Sequence, residues 1–173
     1  FFMQKPPFLR HNKTSDYLKK LIEIANNVGI KFIIVPLVDN SSIKKKYKEK
    51  QILNYFKSLQ INTKFKKVKI LFELDLSPSK LLKFINKLNK SFGINYDVGN
   101  SASYGYKFDT EKKYFHKVFN IHIKDRKING GSVALGKGNV EFNKFFLFLQ
   151  KIKYSGLLVL QTYIPKEKLA LEN

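Results

Sequence analysis

Val68-Lys69-Ile70-Leu71-Phe72-Glu73-Leu74, then Ser77-Pro78 and a helical spacing over 79–92, then Ile94-Asn95-Tyr96-Asp97-Val98: residues 68–98 spell a strand, a helix and a second strand. Both strand runs are too apolar to be half exposed, which is the mark of strands covered on both faces, as in parallel sheets. Ser77 stands at the N-cap position with proline in the first turn, and Gly93 falls where a glycine would end the helix. A helix between two such strands is the crossover that parallel pairing requires. Each strand also carries an acid near its C-terminal end, Glu73 on the first and Asp97 on the second.

The same alternation extends in both directions. Apolar, β-branched runs at 31–36, 118–123 and 157–162 read as further buried strands, and residues 1–4 offer a sixth. Helical spacing covers 16–28, closed by Gly29, and then 46–59, 110–117 and 143–152. The class is therefore α/β. An open doubly wound sheet and a closed barrel both fit this order, and the polar residues discriminate. Barrels gather their chemistry at the C-terminal ends of several strands, and Glu73, Asp97, His122 and Gln161 stand at four such ends. No Gly-x-Gly-x-x-Gly turn follows a strand, and Gly136-Lys137-Gly138 alone is too short a signal for a nucleotide loop. A complete (β/α)₈ barrel takes about 250 residues, so the expectation is a partial TIM barrel. It would be a single incomplete domain over 1–173, with the first two to three strands missing.

The formal net charge is +20, which raises nucleic acid as a partner. Only Arg10 and Arg126 among the 33 basic residues are arginine, the side chain that reads phosphate and guanine bidentately. The lysines are spread over nearly every segment, and the dense block at 44–50 reads as the solvated start of a helix. The pattern disfavours a dedicated nucleic-acid surface. There is no cysteine, which excludes disulfides and thiolate metal sites and suits a cytoplasmic setting. No uninterrupted apolar run approaches the ~20 residues of a membrane span. Residues 1–7 lack the pattern of a secretory signal and do not start with methionine, so the chain reads as beginning inside a gene product.

As ligands, the four strand-end residues form a coherent set. Glu73 and Asp97 offer hard oxygens, His122 an imidazole nitrogen and Gln161 a carbonyl oxygen. Such donors suit Mg²⁺, Mn²⁺ or Co²⁺, with Zn²⁺ also compatible, and two carboxylates balance a divalent charge. Taken singly, each has a structural reading as well: the acids as helix caps or lysine partners, His122 as a hydrogen-bonded core residue. His11 and His116 look incidental, His116 as a solvated helical residue.

Longer motifs carry a resemblance. Asn95-Tyr96-Asp97-Val98-Gly99-Asn100 resembles the Asp-x-Gly-Asn/His strand end of xylose isomerase-like barrels, in particular the sugar phosphate isomerase/epimerase group. Asn120-Ile121-His122-Ile123-Lys124-Asp125-Arg126 is similar to that group's His-x-Lys-Asp strand. Leu135-Gly136-Lys137-Gly138-Asn139-Val140-Glu141-Phe142 is similar to its Leu-Gly-x-Gly-x-Val-Asp-Phe loop. Leu71-Phe72-Glu73 and Leu158-Val159-Leu160-Gln161 fall where the family has its other ligand strands, so the likeness runs from about residue 35 to 163.

The resemblance implies a divalent ion held by Glu73, Asp97, His122 and Gln161, and isomerisation or epimerisation of a sugar or sugar phosphate through an enediolate, with Glu73 as base. It implies substrate contacts for Asn100, and Arg126 could hold a phosphate or sugar oxygen or pair with an acid. Most relatives carry glutamate where this chain has Gln161, and an amide accepts no proton at neutral pH. One-base aldose–ketose isomerisation is therefore expected over two-base epimerisation. A small-molecule partner follows, and a homo-oligomer is compatible. Two alternatives stay open: an inactive fragment or non-catalytic relative, and a metal-dependent nuclease acting at abasic sites, which would need a histidine-rich zinc cluster that three histidines hardly provide.

Overall fold

The computed structural model describes residues 12–62, 67–161 and 163, with the side chains of 12–16 and 60–62 outside that description. His11, the strand expected at 1–4 and the end of the run 157–162 also lie outside it. The described residues form two compact units that divide after Asn95, inside one strand.

In the first unit, helix α1 (Asn12–Asn27) turns Leu18, Ile22 and Ala25 inward, a spacing of four and three that puts them on one face. Gly29, at φ 76°, lets the chain leave the helix and enter β1 (Phe32–Leu37). Helix α2 (Lys46–Asn62) begins in the lysine block, largely exposed as expected, and buries Ile52, Phe56 and Leu59. Strand β2 (Lys69–Leu74), helix α3 (Pro78–Ile85) and strand β3 (Phe92–Asp97) complete the unit. β1 and β2 are parallel with Val35 opposite Phe72, and β2 and β3 are parallel with Phe72 opposite Ile94.

Phe72 is the centre of this core. Its ring meets Phe56 edge-on at 4.8 Å and Phe84 at 5.6 Å, and stacks on Phe92 at 5.8 Å. All four rings are at most 1% exposed. Truncating such a residue costs about 3–5 kcal/mol, so this cluster pins β2, which carries Glu73, and the start of β3 against helices α2 and α3.

One expected boundary is corrected. The helix over 79–92 stops at Ile85, and Gly93, expected to end it, lies inside β3 opposite Leu71. After Ile85 the backbone bonds tighten to an i→i−3 spacing, Lys87 N–H to Phe84 O and Leu88 N–H to Ile85 O, and beyond them the Asn89 side-chain oxygen accepts the backbone N–H of Ser91 at 2.9 Å. Ser77 does hold the N-cap position before Pro78, but its side chain makes no capping bond.

In the second unit, β3 runs straight into helix α4 (Val98–Ser103), so Val98, expected as a strand end, is helical. A short helix α5 (Phe108–Glu111) continues as a 3₁₀ turn over Lys112–Lys117, where one helix was expected over 110–117. Glu111 and Tyr114 are hydrogen-bonded at 2.8 Å across three residues, the spacing that a 3₁₀ turn eclipses. Strand β4 (Val118–Ile123) leads to a hairpin of β5 (Asp125–Arg126) and β6 (Ser132–Val133), then helix α6 (Phe142–Lys151) and strand β7 (Leu157–Leu160). β7 pairs parallel to β4 with His122 opposite Val159. Its four side chains are 40–61% exposed, against the expectation of a buried strand. Leu158 and Leu160 instead line an open apolar hollow with Ile123, Leu135, Phe142 and Phe146.

Candidate metal centre

Glu73 is half-buried near the C-terminal end of β2, where its register partner is Pro36. The Asn95 side-chain amide donates to Glu73 Oε2 at 2.9 Å, and Asn95 itself is 2% exposed. A donor of this kind helps to fix the direction of the carboxylate. Side chains two apart on a strand share a face. Asn95 and Asp97 therefore look to the same side of β3, while Tyr96 looks to the other and donates to Glu111 Oε2 at 2.7 Å.

In the second unit Asp97 ends β3 and caps α4: its Oδ1 accepts the backbone N–H of Asn100 at 2.8 Å. Its Oδ2 is fully buried and makes no hydrogen bond of acceptable geometry, although the Lys124 ammonium stands 2.7 Å away. The same oxygen is 3.9 Å from His122 Nδ1. A buried carboxylate oxygen without a directional partner is costly unless a cation satisfies it. His122, 8% exposed, has its pKa lowered by burial, with Asp97 pulling it up and Lys124 pushing it further down. It is accordingly the neutral imidazole that metal ligation requires.

Among the described residues, the carboxylate and imidazole side chains that qualify as candidate ligands are Glu73 in the first unit and Asp97 and His122 in the second. Gln161 directly follows β7, its backbone N–H donating to Ile123 O at 2.9 Å, and the residue is exposed. His116 is exposed in the 3₁₀ turn, as its surface reading required.

Asn100 and Arg126 meet each other. Arg126 Nη1 donates to Asn100 Oδ1 at 2.7 Å, and its Nε and Nη2 both donate to Gly130 O, at 3.1 and 2.8 Å. Three of the five guanidinium N–H groups are thus engaged within the protein.

Asp125 has a structural role that sequence reasoning did not assign. It is 1% exposed, its Oδ1 accepts the backbone N–H groups of Arg126 and Val140, and its Oδ2 those of Gly136 and Gly138. A Cβ at position 138 would overlap this carboxylate. Gly136-Lys137-Gly138 is therefore a loop wrapped around a protein carboxylate. The signal was present as a buried-strand Asp followed by a Gly-x-Gly, but the donors are backbone groups, which no side-chain pattern announces. Glu111 was missed likewise: 2% exposed, it accepts the hydroxyls of Tyr96, Ser101 and Tyr114 at 2.6–2.8 Å.

The sequence pattern of the xylose isomerase-like TIM barrel family matches residues 2–173. The chain belongs to that family. Its parallel strands and helices are part of a xylose isomerase-like TIM barrel, as the strand-end residues led one to expect. A xylose isomerase domain protein from Planctomyces limnophilus is 24% identical, with a TM-score of 0.69 over 91% of this chain and 60% of that one. The IOLI protein with a bound zinc atom is 20% identical, with a TM-score of 0.74 over 90% of this chain and 62% of its own. A D-allulose 3-epimerase from Methylomonas sp. in complex with D-allulose is 16% identical, with a TM-score of 0.66 over 91% and 59%. The chain thus spans about three fifths of the length of these structures. No curated protein sequence gives a significant match. Among the described residues no helix is long and apolar enough to cross a membrane.

Proposed function

We propose that this chain, as a single barrel-type domain, serves the divalent-metal-dependent isomerisation of a sugar or sugar phosphate, with Glu73, Asp97, His122 and Gln161 as the ion's ligands. The observation that carries the reading is the buried Asp97 Oδ2, without a hydrogen bond and beside a neutral His122. The placement of Asn95 on the Asp97 face of β3, with its amide on Glu73, supports the third ligand. Three oxygens and one nitrogen favour Mn²⁺, Mg²⁺ or Co²⁺, with Zn²⁺ compatible. The zinc of one structural relative and the D-allulose of another support a metal and a sugar here. The absence of cysteine is in keeping with a cytoplasmic setting.

Lewis acidity beside the substrate carbonyl, which acidifies the adjoining C–H bond, is what a bound ion contributes. Glu73 takes that proton, oriented by Asn95, and returns it to the neighbouring carbon of the enediolate, while the hydroxyl proton passes from one of the two adjacent substrate oxygens to the other. Gln161 can ligate but cannot accept a proton, so one carboxylate serves both carbons and the product is the aldose–ketose partner. Asn100 and Arg126 work as a hydrogen-bonded pair, the two guanidinium N–H groups beyond those named being available to a hydroxyl or phosphate of the substrate.

Incubation of the protein and Mn²⁺ with a panel of ketoses and aldoses in D₂O tests this. Deuterium enters the carbon next to the carbonyl, an aldose forms, and Glu73→Gln abolishes both. Inversion at C3 without any aldose would refute the one-base chemistry. The competing reading, a chain without activity of its own, draws on the exposed β7 and the three-fifths coverage. Failure of the chain to bind any divalent ion would favour it.

A further inference from the structure

We propose that Lys124 is the resident counter-cation of this site, occupying the place beside Asp97 Oδ2 that a divalent ion would take, so that metal entry requires the ammonium to withdraw. The inference rests on the metal reading above and adds a residue that governs the strength of binding. Asp97 Oδ1 already accepts the N–H of Asn100 at the start of α4, so Oδ2 is the oxygen of this carboxylate that lacks a directional partner. Lys124 Nζ stands 2.7 Å from the other oxygen, the lysine side chain 18% exposed and the carboxylate 2%. No well-directed hydrogen bond joins them, so the contact is held by charge and can be given up without loss of a directional bond.

The position of the lysine stem is built in. A Cβ at Gly99 would stand 2.6 Å from Lys124 Cγ and 3.0 Å from Lys124 O, so the absence of a side chain at 99 opens the slot through which the stem reaches Asp97. His122 Nδ1 lies 3.9 Å from the same oxygen. A compact ammonium on a flexible stem is suited to such a placeholder: it neutralises the buried carboxylate when no ion is bound and reaches solvent when one is. The two cations compete for one oxygen, and like charges at that separation repel.

Calorimetric titration of MnCl₂ into the wild-type chain and Lys124→Met tests this. The methionine variant binds Mn²⁺ at least tenfold more tightly, and Lys124→Arg gives no such gain. Equal or weaker binding by Lys124→Met overturns the inference while leaving the metal site standing. Absence of Mn²⁺ binding in both proteins removes the metal reading, and this inference with it. A second measurement needs no variant and covers failure of Lys124→Met to fold: reductive methylation of the wild-type chain, read at Lys124 by mass spectrometry. Saturating MnCl₂ raises the rate at Lys124 severalfold as the ammonium moves to solvent, whereas an unchanged or lower rate refutes the displacement.

Discussion

Replacing Asp125 by asparagine perturbs one atom pair and leaves the shape intact, which makes it the sharpest test of how the loop at the strand end is held. Each Asp125 oxygen accepts two backbone N–H groups, Arg126 and Val140 on one, Gly136 and Gly138 on the other. Whichever way the amide is turned, its NH₂ faces two donors, so two hydrogen bonds are lost and none replaces them. Bonds to a charged acceptor are worth about 1.5–3 kcal/mol each, for a gross loss of about 3–6 kcal/mol. Gly136 is exposed and rehydrates, while Gly138 and Val140 are half-buried, which places the expected loss near the lower end, about 3 kcal/mol. For a chain of this size that lowers the melting temperature by about 6–12 °C. Urea unfolding gives the energy, and hydrogen exchange at Gly138 and Val140 locates it. A loss below about 1 kcal/mol with unchanged protection of those amides would refute the claim that one carboxylate organises the loop.

Glu111 predicts a pH dependence. Burial raises its pKa above the ordinary 4.5, against hydrogen bonds from Ser101, Tyr96 and Tyr114 that lower it. A raised folded-state value means that its contribution to stability is complete below pH 4.5 and is lost as pH rises through the folded pKa. Relative to Glu111→Gln, wild type therefore loses stability across that window in pH-dependent urea melts, and parallel curves would contradict the assignment. Gly138→Ala forces a methyl into the Asp125 carboxylate and costs about 1–3 kcal/mol as overpacking, whereas Gly131→Ala, with open space around it, is not subject to that clash. Thermal melts of the two variants separate the close approach from a general intolerance of substitution in the loop.

The strands were legible in the sequence because their apolar runs have no other home: β1, β2 and β4 begin and end within a residue of expectation, and β3 within two. The overlong helix at 79–92 shows the limit. Lysine and leucine kept a helical pattern going, while the tightened turn after Ile85 and the Asn89–Ser91 bond that follows it are short-range contacts no periodicity reveals. The strand-end positions of Glu73, Asp97 and His122 were legible because the apolar runs that carry them fix where each strand stops. The engagement of Arg126 with Asn100 and Gly130, the grip of Asp125 on its loop and the approach of Lys124 to Asp97 were not. Each depends on where a loop returns in space, often onto a backbone group that carries no letter of its own. The exposure of β7 was illegible for a related reason, since an apolar run states what wants burial and not what covers it.

Anomalous scattering from crystals of the chain grown with MnCl₂ tests the central claim most directly. The account predicts one strong manganese peak at bonding distance from Asp97 Oδ2 and a His122 ring nitrogen, with a Glu73 oxygen in the same coordination sphere. A peak elsewhere, or none at a concentration that saturates binding in solution, would contradict it.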